Sequence, residues 1–227
     1  LTLTFTDGSK LDVINAGNAA KSHDVSVPGG AGEASITVTT GNNAQTGLDF
    51  FGAGTAIGVE WHSAADFMAD GLKIGASFSV DDGVAADASA AVESSWGLGA
   101  TYVTSAGDTA VTIGAGLSQS DWKDTDSAAP TGDSGFHVGF SAVTGNLTVA
   151  AGYANGDKVI DNATSDEREI VDNTVTKVGV KYVHGDVTLS VGMTSASGTD
   201  SATLGTAGTK EDANDVTDAG ISYAVAS

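Results

Sequence analysis

The feature that most restricts the fold is a two-residue alternation that fills much of the chain and breaks at a nearly constant interval. Val111, Ile113, Ala115 and Leu117 fall on one parity, and Thr112, Gly114, Gly116 and Ser118 on the other. Trp96, Leu98, Ala100 and Tyr102 oppose Gly97, Gly99 and Thr101 in the same way. A period of two is that of a β-strand with unlike faces, and helical spacing explains none of these runs. The pattern recurs at 57–61, 72–80, 136–140, 147–153, 178–182, 187–193 and 221–225, which gives nine strands after residue 55. Each is expected to be about 8–12 residues long.

The connections alternate as well. Short links near 64–70, 105–108, 145–146 and 185–186 take turns with long polar links at about 82–94, 119–133, 155–173 and 197–214. Strand pairs open near 55, 95, 134, 174 and 215, at spacings of 40, 39, 40 and 41 residues. A propeller blade packs four short strands into such a length, whereas each period here holds two long ones. The unit is therefore one hairpin, with a tight turn at one end and a long loop at the other. A soluble sandwich seldom sorts its links so regularly, but an outer-membrane barrel does.

Three further features favour the barrel. Strands of ~10 residues tilted by about 45° span roughly the 25 Å of a bilayer's apolar band. Trp61, Tyr102, Phe140, Tyr182 and Tyr223 lie 6 to 8 residues after their hairpin starts, beside the short turns. There they would form the girdle that amphipathic rings make at a membrane interface. Acidic residues gather in the long links, as in Asp157, Asp161, Asp166, Glu167, Glu169 and Asp172, and avoid the apolar parity of the strands. No apolar run reaches the ~20 residues of a transmembrane helix, which leaves a strand-crossing protein open.

Charge and composition remove other classes. With 9 basic and 29 acidic residues the net charge is −20, so nothing neutralises a phosphate backbone and no nucleic-acid partner is expected. The absence of cysteine excludes a disulfide scaffold, a thiol nucleophile and a thiolate metal site. Neither a Walker loop, a dinucleotide fingerprint, a zincin motif nor a nucleophile elbow is present, and His23, His62, His137 and His184 never pair at metal-ligand spacing. No enzyme is expected, and no metal site can be assigned.

The hairpins SWGLGATYVTSAGDTAVTIGAGLSQSD and TKVGVKYVHGDVTLSVGMTSASGTD resemble those of the general diffusion porins of alphaproteobacteria, the Rhodobacter type. The resemblance is one of hairpin style and covers about 55–227. It implies an all-β, antiparallel transmembrane β-barrel of 16 strands, assembled as a homotrimer, each barrel narrowed by an inward-folded third loop. On that pattern 1–15 is a strand hairpin around Asp7-Gly8-Ser9, 16–54 is the constriction loop, and 55–227 holds consecutive hairpins of the same barrel domain. About 11 strands then fall within the chain, with four more expected before Leu1, one after Ser227, and an export signal upstream. The alternative is that 16–54 holds another short hairpin, 22–27 with 34–40.

Within such a barrel the polar parity lines water. Glu60, His62, Lys73, Lys177 and Lys181 are the pore-lining candidates, and Asp24, Glu33 and Asp49 the constriction-loop candidates. Acids on the loop facing bases on the wall would set a transverse field that orders water and penalises apolar solutes. The plainer reading of each such charge is ordinary solvation. The many polar-parity glycines, among them Gly75, Gly99, Gly116 and Gly139, read as space left for water. No cofactor is expected, except that the resemblance implies calcium at acidic loops such as Asp121, Asp124, Asp126 and Asp133, for which spacing fixes no ligand set.

The expected function is that of an outer-membrane porin passing small hydrophilic solutes and ions passively, mildly cation-selective at its acidic mouth. Its expected partners are the lipid bilayer, lipopolysaccharide and two further copies of itself. The competing reading is an exported, acidic β-rich structural or adhesive surface protein, which would dissolve without detergent.

Overall fold

The structure, a computed structural model, describes residues 1–14, 18–30, 32–34, 57–80, 92–122, 132–161, 168–199 and 210–224. Eleven antiparallel strands form one sheet in which each strand pairs with the next along the chain. They are β1 (Thr2–Thr4), β2 (Lys10–Ile14), β5 (Ile57–His62), β6 (Leu72–Val80), β7 (Val92–Ala106), β8 (Thr109–Trp122), β9 (Gly132–Thr144), β10 (Leu147–Asp161), β11 (Arg168–His184), β12 (Val187–Thr199) and β13 (Lys210–Tyr223). Between β2 and β5 the chain leaves the sheet and forms α1 (Ala19–Ser22), then a separate hairpin of β3 (Val27–Gly29) and β4 (Gly32–Ala34).

The tight turns follow from local chemistry. Gly107, Gly145 and Gly185 each open a two-residue link with φ between 55° and 61°, and register closes directly across it, as in His184↔Val187. A positive φ at the first turn position, with none at Asp108, Asn146 or Asp186 in the second, is the II′ geometry, whose twist matches the flanking strands. In the first hairpin the Asp7 carboxylate accepts from both the Ser9 N–H, at 2.9 Å, and the Ser9 hydroxyl, at 2.7 Å. Gly8 between them has φ of +87°.

Both strand sets, nine after residue 55 and two before it, match the alternation in number. Their lengths do not. β7 to β13 run 13 to 17 residues and extend into what the sequence suggests are long links. The reason lies in the side chains, because pattern registers only where one face is apolar. On β10 the outward parity turns polar at Asn155, yet backbone pairing with β11 continues to Asp161↔Arg168. The ladder needs only N–H and C=O groups, so it outlasts the apolar stripe.

The two faces are occupied very differently. On the apolar parity, Leu98, Val138, Val149, Val180 and Val191 remain 41–49% exposed, and no second sheet or helix layer covers them among the described residues. With neighbours such as Phe78, Leu117, Phe136, Val178 and Leu189, also exposed, they present a contiguous apolar band of a kind that soluble monomers rarely expose. Buried apolar side chains belong to the opposite face. Among the described residues, Ala19, Ala20, Val25, Val27 and Pro28 of the inserted segment, and Ala150, Ala154 and Val175 of the wall, make up that set. The hydrophobic contact in this molecule is thus between the inner wall and the 18–30 segment.

Aromatic rings mark both margins of the exposed band. Tyr102, Phe140, Tyr182 and Tyr223 stand near the tight turns, 39–65% exposed. A second row that the sequence reading overlooks lies toward the long links: Phe78 pairs with Trp96 across β6 and β7, and the rings of Phe136 and Tyr153 lie 5.9 Å apart.

Candidate functional site

The site begins with glycine. Gly75, Gly99 and Gly116 are successive cross-strand partners on β6, β7 and β8, and Gly114 pairs with Gly139, which pairs with Gly152. Gly179 and Gly192 continue the track across β11 and β12. Read from sequence as space for water, most of this track is occupied. A Cβ at Gly139 would stand 2.7 Å from Val25 Cβ, and one at Gly116 would stand 2.8 Å from the Cα and carbonyl oxygen of Ala20. Gly179 and Gly192 face Pro28 in the same way. The glycines form a shallow bed in which 18–30 lies, because only a wall without side chains lets another backbone come this close.

Polar groups fasten the segment along that bed, one from each of six strands. From β5, Glu60 accepts from the Ser22 hydroxyl at 2.6 Å; from β6, Ser77 Oγ accepts from the Ala19 N–H at 2.9 Å. Thr101 of β7 meets His23 Nδ1 at 2.8 Å, and His137 of β9 reaches the Ala20 carbonyl oxygen at 2.7 Å through Nε2. On the far side the Ser190 hydroxyl donates to the Gly29 carbonyl, and Asp218 accepts from the Gly30 N–H, both at 2.7 Å. Asn18 caps α1, its side-chain oxygen accepting from the Lys21 N–H at 3.2 Å. The bonds of Ser77, His137 and Ser190 are buried, so each satisfies a backbone group that the seat withdraws from water, and leaving one unmade would cost about 1–3 kcal/mol.

The pore-lining candidates separate into two groups. Glu60 and Lys177 are 5% and 4% exposed, held beneath the segment. Lys177 lies within electrostatic reach of Asp24 and Asp218. His62 Nε2 lies 3.0 Å from Asp12 and 3.8 Å from Glu60. Lys73 is exposed and Lys181 half-buried on the same inner parity. Among the loop candidates, Asp24 turns toward the wall, its side chain 5% exposed and 3.8 Å from His137 Nδ1. It therefore faces wall bases at close range rather than projecting away from them, because a buried carboxylate requires a nearby countercharge. Glu33 stands in β4 opposite Pro28, its side chain outside the described residues, and Asp49 lies outside them altogether. Of the acidic link residues, Asp121 is described at the end of β8, while Asp124, Asp126 and the Asp133 side chain are not.

The structure pairs Val27–Gly29 with Gly32–Ala34, a hairpin that shares only Val27 and Ala34 with the alternative of 22–27 with 34–40. Residues 22–26 are taken up instead by the end of α1 and the chain that His23 and Asp24 tie to the wall; 35–40 lie outside the described residues.

Burial against the wall lowers the pKa of His23 below its ordinary 6.5, with the nearby His62, His137 and Lys73 acting in the same direction. A depressed imidazole favours the seated state above the pKa it has when released, and that advantage is lost as pH falls through the lower, seated value. Acidification below about 6.5 is thus expected to loosen the segment. The check is amide hydrogen exchange at Ala19–Ser22 measured down to pH 5. Protection should fall with pH in the native protein, and His23→Asn should flatten the part of that fall that belongs to His23.

No family model matches the sequence, and no curated protein matches it either. Among solved structures the chain is similar to a porin from Rhodobacter capsulatus refined at 1.8 Å resolution, with a TM-score of 0.58 and 18% identity. The match covers 98% of this chain and 79% of that one. At this identity the likeness is one of fold: the eleven-stranded sheet has the architecture of a porin barrel wall.

Proposed function

We propose that the protein is an outer-membrane channel through which small hydrophilic solutes and ions diffuse passively, and that 18–30 is its constriction. One observation carries this reading. The apolar parity of a large sheet faces outward and uncovered, while the polar parity faces inward and carries an inserted strap of chain. In water such a face would drive association; against hydrocarbon it is the stable arrangement. The aromatic rows at its two margins suit the interfaces of a bilayer.

The mechanism is exclusion. The strap reduces the width available beside the inner wall, and the side chains it leaves exposed, Lys21, Ser22 and Ser26, are polar. Solutes must exchange some of their water for these groups and for wall side chains such as Lys73, which favours polar species. Net charge of −20, gathered in the long links, concentrates cations at that mouth and gives mild cation selectivity. Trimeric assembly, contact with lipopolysaccharide and calcium at the acidic links belong to the same proposal and rest on the family resemblance.

Reconstitution in planar bilayers tests it. Stepwise current increments are expected, with a reversal potential displaced toward the cation equilibrium value in a salt gradient. Loss of the steps would overturn the channel, and a protein that leaves the membrane fraction without detergent would favour the surface-module reading.

A further inference from the structure

We propose that His137 is the positioning residue of the constriction: one wall imidazole holds the inserted segment by the Ala20 carbonyl and so sets how deep α1 sits. That α1 narrows a channel rests on the function proposed above; the grip itself rests on geometry alone.

The side chain of His137 is wholly buried. Its Nε2 lies 2.7 Å from the Ala20 carbonyl oxygen. A carbonyl only accepts, so Nε2 carries the proton and donates. The other ring nitrogen, Nδ1, faces Asp24 Oδ1 at 3.8 Å. Ala20 lies within α1 and Asp24 just beyond its end, so the two ring nitrogens span the point where the chain leaves the helix. Nε2 also lies above Gly116, where the missing side chain leaves room for both ring and helix. Among the described residues, the titratable groups near the ring are Asp24 and His23 from the segment, with Lys177 of β11 within reach of Asp24.

Glutamine places a side-chain N–H at nearly the reach of Nε2, whereas leucine offers similar bulk and no donor. His137→Gln should therefore keep the segment in place and His137→Leu should release it. The chain has no native cysteine, so spin labels at Ser26→Cys and Asp108→Cys report one distance between the segment and the β7–β8 turn. In the detergent-purified, folded protein the expected result is a single narrow distance peak for the native residue and for His137→Gln, lost in His137→Leu.

A narrow peak for His137→Leu would overturn the proposal, since the donor would then be dispensable. A broadened peak for His137→Gln would overturn it too, by making ring shape rather than the N–H the cause. Single-channel recordings on the same variants separate the two layers. Noisy, altered conductance in His137→Leu alone supports both, and a silent native protein with the expected distances removes the channel while leaving the grip intact.

Discussion

Val191→Arg destabilises the protein in lipid vesicles by about 2–4 kcal/mol, the penalty for a cation near the middle of a lipid-facing strand. Val191 is 49% exposed, pairs with Val180 on β11 and Ala219 on β13, and lies on the stretch of β12 that also carries Leu189 and Met193 outward. Thr188→Arg, on the opposite parity of the same strand, should cost far less, because its side chain points to the polar face. Reversible denaturant unfolding of both variants in the same vesicles provides the comparison. Were the outward face simply wet, Val191→Arg would be an ordinary surface change within about 0.5 kcal/mol. Equal small effects for the two variants would therefore remove the membrane from the account, and a large cost at Thr188 alone would invert the assignment of faces.

Such a paired test is available because parity is the part of this structure most legible in sequence. Alternation over 111–118 depends only on which side chains share a face, and backbone pairing reproduces it, with Ile113↔Phe140, Ala115↔Val138 and Leu117↔Phe136 all on one side. The tight turns were equally readable, since Gly107, Gly145 and Gly185 supply a dihedral that other residues resist. Strand ends were not, because past Asn155 or Gln119 the strict alternation stops while the backbone ladder continues.

The inserted segment was legible only as an interruption. Asn18 followed by Ala-Ala-Lys-Ser carries a helix start, but four residues are too few to hold a helix without support. What holds α1 is a set of groups 38 to 117 positions away, from Glu60 to His137, and no local pattern reports them. His137 falls on the polar parity between Phe136 and Val138, yet its role depends on Ala20 reaching it over the bare backbone of Gly116. The glycine track misled for the same reason. A missing side chain reads as empty space until the chain that fills it is located.

Filling that space is the direct test of what the bed does. In Gly116→Ala the new methyl would sit 2.8 Å from the Cα and carbonyl oxygen of Ala20. Unstrained carbon contacts lie near 3.5–4.0 Å, so α1 must retreat from the wall by about 1 Å. Both atoms are backbone, so no rotamer change relieves the clash, and overpacking of this kind typically costs about 1–3 kcal/mol. Retreat from the wall is movement toward the bore. Single-channel conductance should fall, and the largest uncharged sugar that enters liposomes through the protein should become smaller. Ala115→Val adds bulk one residue earlier on the outward face and should leave both readings unchanged. Because the added methyl also crowds His137 Nε2, Gly116→Ala and His137→Leu act on one contact, and their combined effect should fall short of additive. Full additivity would mean that bed and grip position different parts of the segment; native conductance in Gly116→Ala would mean that the segment does not limit the flow.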